Sequence, residues 1–251
     1  MTKSFREIPA SVARKLRLVM TDVDGTLTLD GQQFDPVVAE CVTLLQADGI
    51  PVGLASGRDL PRLEKIVSLI GAEGPLIAEN GGVARLTPSG PLVELGYSRG
   101  PALEAVAKLK STFCGAIVEL EDNRNRRVDV TISSGGIPVE ELRKHVPGIQ
   151  LLDSGYMVHL MPEGISKGGT LKSLLVKMGL TADEVIVFGD SATDISLFDH
   201  FSNSVLVHNP RLSRDQLRAV DGVSTYVSDL PVEKGFCQVA EYILAARRAA
   251  T

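Results

Sequence analysis

Residues 16–78 and 166–207 share one pattern, in which short apolar runs are each followed by a longer helix-like stretch. Runs at 16–21, 50–55 and 76–78 read as strands, with helices at 36–47 and from about 60 to 70; Pro36 occupies a plausible first helical position. The pattern resumes with a helix from about 166 to 178, a strand at 184–188, a helix from about Thr193 and a strand at 204–207. Strands that are apolar throughout and joined by helices predict an α/β fold, a doubly wound, Rossmann-like parallel sheet covered on both faces. The carboxyl ends of such strands form one rim, and ligands bind in the crevice there.

The middle of the chain breaks this rhythm. Strand-like runs crowd together at 83–86, 92–95, 116–121, 128–132 and 156–160, with helix-like segments only near 102–110 and 139–145. An α+β cap domain inserted into the core is therefore expected, with core residues 1–82, cap residues 83–158 and core residues 159–251.

Composition narrows the function. A net charge of -5 and 4% aromatic residues offer neither a basic surface nor a stacking platform, so nucleic acid is not an expected partner. No stretch reaches the roughly 18–20 apolar residues of a membrane helix, and the charged, proline-containing start lacks a signal-peptide core, so no membrane is expected either. Cys41, Cys114 and Cys237 are odd in number and without a Cys-x-x-Cys pair, which reads as three free thiols in a reducing, cytoplasmic setting.

Three polar residues follow three apolar runs directly: Asp22, Ser56 and Asp190. Each alone could be a helix cap; together they place three separate segments on one rim. Asp22-Val23-Asp24-Gly25-Thr26 sets two carboxylates close together at a strand end, where they repel unless a cation lies between them. A hard divalent ion such as Mg²⁺, which needs only one or two protein carboxylates plus a substrate phosphate, resolves the conflict. Asp190 and Asp194 add carboxylates at the same rim, and Lys167, at a helix start capped by Ser166, is either a solvated lysine or a neutralising charge opposite them. Ser56-Gly57-Arg58 offers a hydroxyl and backbone N–H groups at the start of the next helix, a good anion site.

In this order and placement, Asp22-x-Asp24-Gly25-Thr26, Ser56, Lys167 and Gly189-Asp190-x-x-x-Asp194 resemble the four motifs of the haloacid dehalogenase-like phosphatases. An insert between the second and third motifs resembles the subgroup with a C-type α/β cap. Within it, Glu79-Asn80-Gly81-Gly82 and the string from Ser154 to Leu160 look most like the archaeal-type phosphoglycolate phosphatases, with sucrose-phosphate phosphatase-like hydrolases beside them.

The resemblance implies a Mg²⁺-dependent phosphomonoester hydrolase for a small phosphorylated metabolite, most closely 2-phosphoglycolate. Asp22 is the implied nucleophile and Asp24 the acid and base. Mg²⁺ falls to Asp22, Asp24 through its carbonyl, Asp190 and Asp194. Lys167, Ser56, Gly57, Arg58 and Asn80 are the implied substrate contacts. Arg124, Arg126 and Arg127 are expected to bring positive charge from the cap, and His159 is the one histidine placed to meet substrate. A sugar phosphatase or a phosphomutase of the same fold is the alternative, and a phospho-accepting signalling domain is a more distant one. The expected assembly is a monomer or homodimer.

Overall fold

The computed structural model describes residues 2–249. In chain order its elements are β1 (Lys3–Ser4), α1 (Ala10–Lys15), β2 (Leu18–Thr21), α2 (Pro36–Ala47), β3 (Val52–Ala55), α3 (Leu60–Ile70), β4 (Leu76–Ala78), β5 (Val83–Arg85), α4 (Gly100–Thr112), β6 (Val118–Glu119) and β7 (Val130–Ser133). There follow α5 (Val139–His145), β8 (Ile149–Asp153), β9 (Val158–Pro162), α6 (Lys167–Met178), β10 (Val185–Gly189), α7 (Ile195–His200), β11 (Ser204–His208), α8 (Arg214–Val220), β12 (Tyr226–Pro231) and α9 (Val232–Arg248).

Eight strands form one sheet in the order β1-β12-β11-β10-β2-β3-β4-β5. Neighbours run parallel except β5, which turns back antiparallel to β4 at the edge. Every residue of β2, β3, β4 and β10 is buried, as strands covered on both faces must be. The winding reverses at β2: β3 and β4 lie to one side, and β10, β11 and β12 to the other. The carboxyl ends of β2 and β10 therefore border the crevice of a topological switch point.

Local chemistry starts the helices around that crevice. Asp35 accepts from the Val37 N–H before α2, Asp59 from Arg62 before α3, and Ser166 from Gly169 before α6. Each such cap is worth about 1 kcal/mol.

A second, antiparallel sheet has the order β6-β7-β9-β8. Helices α4 and α5 cover it, burying Val106, Leu109 and Leu142 with Ile132 and Leu160. Strand pairing puts the crossings between the sheets after Arg85 and after Pro162, because β5 folds back onto β4 and β9 stays paired with β8 as far as Pro162. Val83–Arg85, expected in the cap, thus pairs in the large sheet, and residues 159–162, expected in the core, pair in the small one. The expected strand at 92–95 shrinks to a bridge from Leu92 to Arg85 and one bond from the Val93 N–H to the Ala84 carbonyl. Pro91, just before it, has no N–H to extend the ladder.

The N-terminal residues are part of the core. β1 adds to the edge at β12, Tyr242 on α9 donates to the Arg6 carbonyl at 2.6 Å, and Arg247 donates to the carbonyls of Ala13 and Leu16 at 2.8 and 3.1 Å.

Glu79 joins the two sheets. It follows β4 in a left-handed conformation (φ 52°), and its buried carboxylate accepts from the backbone N–H groups of Arg127, Val128 and Asp129 at 2.9, 2.8 and 3.0 Å. Arg62 on α3 reaches across to Asp122 at 2.9 Å. These contacts hold the small sheet over the rim of the large one.

Candidate active site

β2 ends at Thr21, so Asp22 is the first residue beyond the sheet, and it is buried. Three residues on, the chain must turn within reach of β10. Gly25 makes that turn at φ 91°, and a β-carbon there would stand 2.4 Å from both Asp190 Oδ2 and Asn209 Nδ2. No residue but glycine fits this turn without displacing the second acidic segment.

Lys167, the first residue of α6 and only 2% exposed, donates to Asp22 Oδ1 at 2.7 Å and to Asp194 Oδ1 at 2.8 Å. Asp194 is engaged on its other oxygen as well, accepting from the Asp190 and Ser191 N–H groups at 3.1 and 3.2 Å. Asp190 accepts from Asn209 Nδ2 at 2.7 Å. One oxygen from each of Asp22, Asp190 and Asp194 lies within 4.8 Å of the others.

Three buried carboxylates thus share one ammonium. Burial pushes the Asp22 carboxyl well above its usual range; Lys167 counters this in part, and Asp194, Asp190 and Asp24 add to it. Asp190 is raised to about 7 by burial and by Asp194. Burial opposes the charge on Lys167, but Asp194 and Asp22 outweigh it and hold the ammonium protonated. The excess of negative charge is what a divalent cation would neutralise, and the all-oxygen donor set suits Mg²⁺.

The Asp24 carboxylate stands apart from this cluster. Arg58 grips it bidentately, Nε to Oδ2 at 2.7 Å and Nη2 to Oδ1 at 2.6 Å, and also donates to the Gly31 carbonyl at 3.0 Å. Arg58, expected beside substrate at the helix start, thus turns its guanidinium to Asp24. Ser56 Oγ accepts from the Arg58 N–H at 3.2 Å, while Glu79 N–H donates to the Arg58 carbonyl and Asn80 N–H to that of Ser56, at 2.9 and 3.1 Å. The loops after β3 and β4 are stitched side by side in this way, and Asn80 is set next to Ser56 and Gly57.

Asp22, Asp24, Ser56, Arg58, Asn80, Lys167 and Asp190 border one cavity of about 550 Å³, roofed by Ser154–Tyr156 of the small sheet's β8–β9 turn, while Asp194 lies buried behind it. The cap arginines do not. Arg126 is buried and neutralised by Asp122 and Asp129 at 2.7 Å each, and Arg124 and Arg127 are exposed and do not line the cavity. The expectation for these three is corrected: a run of arginines in a loop carries no sign of which way each points, and Arg126 found its carboxylates within four residues. Arg211 and Gln216 do line the cavity, and nothing in their local sequence pointed to it.

The family model for haloacid dehalogenase-like hydrolases matches residues 19–126 and 138–217. The chain belongs to that family. Among curated relatives, a phosphoglycolate phosphatase of Methanospirillum hungatei is 31% identical over 228 residues, covering 89% of this chain and 95% of the relative. A phosphoglycolate phosphatase of Methanoculleus marisnigri is 35% identical over 214 residues, covering 83% and 90%. This member of the hydrolases is accordingly a phosphatase. The fold recurs in a solved structure from Thermoplasma acidophilum (TM-score 0.78, 24% identity, covering 91% of this chain and 98% of that one). It recurs also in the sucrose-phosphatase of Synechocystis, solved with sucrose and phosphate (TM-score 0.71, 18% identity, covering 92% and 98%). No helix among the phosphatase's described residues is long and apolar enough to cross a membrane.

Proposed function

We propose that this phosphatase hydrolyses 2-phosphoglycolate, or a similarly small carboxylate-bearing phosphate ester, through a phospho-aspartate on Asp22. The observation that carries the mechanism is the cluster of Asp22, Lys167, Asp194 and Asp190 at the switch point, facing a roofed cavity. Supporting the substrate are the relatives from Methanospirillum hungatei and Methanoculleus marisnigri, 31% and 35% identical, both phosphoglycolate phosphatases.

An Asp22 oxygen attacks phosphorus, the ester P–O bond breaks, and the leaving oxygen takes a proton from Asp24. Water then attacks the acyl phosphate, giving a proton back to Asp24 and releasing inorganic phosphate and Asp22. Lys167 holds the Asp22 carboxylate in place and offers positive charge to the phosphoryl oxygens, with the Ser56 hydroxyl and the Gly57 N–H beside it. Both Asp24 oxygens are engaged by Arg58, so Asp24 meets substrate once that fork opens toward the incoming phosphoryl group. Asp22, Asp190 and the Asp24 carbonyl would hold Mg²⁺, with Asp194 committed to Lys167 and the Asp190–Ser191 backbone. When bound, the ion neutralises charge as phosphoryl transfer proceeds.

Phosphate release measured with 2-phosphoglycolate, sucrose phosphate and an aryl phosphate tests the substrate. The expected order puts phosphoglycolate first, with activity lost on exhaustive chelation and restored by Mg²⁺. Equal rates on all three esters would remove phosphoglycolate as the substrate, and full activity after chelation would remove the metal. A sugar phosphate is the second reading, favoured by a cavity of about 550 Å³, which has room for one.

The acidic cluster also predicts a pH signature. Asp190 is raised from 3.8 to about 7, so the stability it contributes is present below pH 3.8 and is lost as pH rises through about 7. Glu79, raised from 4.5 to about 7 by burial and by Asp129, works in the same direction. The metal-free protein should therefore melt at lower temperature at pH 8 than at pH 5. Mg²⁺ should raise the melting temperature more at pH 8, because it binds the ionised form of Asp190 and leaves Glu79 unaffected. An equal Mg²⁺ shift at both pH values would contradict the site.

A further inference from the structure

Part of the cavity wall has no task in the phosphoryl chemistry. His159, on β9, is 3% exposed and its ring lines the cavity. Its Nδ1 lies 2.7 Å from Asp129 Oδ2. Asp129 is held in turn by Arg126 Nη1 at 2.7 and 2.9 Å, and the same Nη1 donates to the Gly57 carbonyl at 3.0 Å. This chain of partners fixes the ring and commits one nitrogen. Nε2 has no partner among the described residues and is the edge left for a ligand.

Asn80 converges on the same place. A β-carbon on Gly57 would stand 3.0 and 3.1 Å from the Asn80 amide and 3.3 Å from His159 Cε1, so the two side chains meet over one glycine. Asn80 Nδ2 is buried without a partner among the described residues. Asn80 and Glu79 both have positive φ, 54° and 52°, a strained turn that the three backbone bonds to Glu79 hold in place. A buried donor left unpaired in a cavity wall calls for an acceptor.

We propose that His159 and Asn80 form a carboxylate subsite that selects phosphorylated short-chain acids, an inference that rests on the substrate class proposed above. Ser56 and Gly57 are consecutive, with Cα atoms about 3.8 Å apart. A two-carbon acid carries its carboxylate two bonds from the ester oxygen. A phosphoryl group between Asp22 and Ser56 therefore brings that carboxylate to the wall one residue further on. There Nε2 donates to it when both ring nitrogens carry protons, so that Asp129 and the substrate each accept one. Asn80 Nδ2, unpaired beside the same glycine, is the second donor. Gly57 keeps the space open. Of the cavity's other cations, Lys167 is committed to aspartates, Arg58 is held by Asp24 and turns to the phosphoryl group when that fork opens, and Arg211 is exposed and donates to the Leu29 carbonyl at 2.9 Å.

The test compares kcat/KM for 2-phosphoglycolate and for 2-hydroxyethyl phosphate, which has the same length and no carboxylate, in wild type, His159→Gln, Asn80→Ala and Arg211→Ala. Wild type should prefer phosphoglycolate by about tenfold or more, and His159→Gln should lower that ratio by about tenfold, the scale of losing one hydrogen bond to a charged group. Asn80→Ala should lower it in the same direction, which keeps the test decisive if His159→Gln does not fold. Arg211→Ala should preserve the ratio. If wild type hydrolyses neither ester, the small-acid substrate proposed above fails; if it hydrolyses both equally well, small phosphate esters stand as its substrates and the subsite is overturned. Loss of the ratio in Arg211→Ala alone, or a proportionate loss on both esters in the His159 and Asn80 variants, would also overturn it.

Discussion

Asp22→Asn should lower kcat by at least about 10⁴-fold, the scale of removing a covalent nucleophile, and leave the metal-free protein at least as stable as its parent. The amide is nearly isosteric but cannot attack phosphorus. It also removes one of three buried carboxylates that share a single ammonium, and Lys167 keeps Asp194 as its partner. The expected record is phosphate release at the level that deamidation restores, together with an unchanged or higher melting temperature without metal. Substantial turnover by protein whose intact mass confirms asparagine would move the nucleophile elsewhere. A large fall in melting temperature would mean that the Asp22 charge stabilises the fold, against the burial cost read from its raised pKa.

Lys167→Ala should do the opposite to stability while also damaging catalysis. Breaking a buried ion pair from one side costs about 3–5 kcal/mol, because the partner charges remain. Here Asp22 and Asp194 both lose their donor, with Asp190 close by. At about 2–4 °C per kcal/mol for a chain of this size, the metal-free melting temperature should fall by roughly 6–20 °C. kcat should fall by about 10²–10³-fold, as when one charge-stabilising donor is removed. Mg²⁺ should recover much of the stability, since it supplies positive charge to the same carboxylates, but little of the rate. A variant with parental stability and less than tenfold loss in kcat/KM would make Lys167 an ordinary solvated lysine, which its burial already argues against.

Contrasting effects of two neighbouring substitutions show what local pattern can and cannot carry. Pro36–Ala47 and Leu76–Ala78 were legible to the residue, and Leu60–Ile70 and Val139–His145 closely, because strong stops bound them: prolines, capping aspartates, or a glycine at the end. β8 was not legible, since it is only partly buried and its Gln150 and Asp153 break the apolar run. β12 has the same fault, with Ser228 and Asp229 in a strand near the sheet's edge. α9 was legible in principle, with Phe236, Val239, Ala240, Ile243 and Leu244 at helical spacing, but it lies beyond the last strand that the alternation picked out.

Pattern along the chain was enough for the core and its rim: apolar strands that had to be covered on both faces, and carboxylates at their ends that had to emerge on one side, with Lys167 left as either a solvated lysine or their counter-charge. Those conclusions rest on adjacency along the chain, because a residue directly after a buried strand has little choice about where it emerges. The tertiary structure alone decided that Arg58 holds Asp24, that Arg126 is buried against Asp122 and Asp129 instead of facing substrate, and that Glu79 pins the backbone of Arg127–Asp129. The latch and the fork join residues 34 to 50 positions apart, and Arg126, though only three or four residues from its carboxylates, could have pointed either way. The direction of a long side chain and the identity of its partner depend on which elements pack together, and no period in the sequence records that.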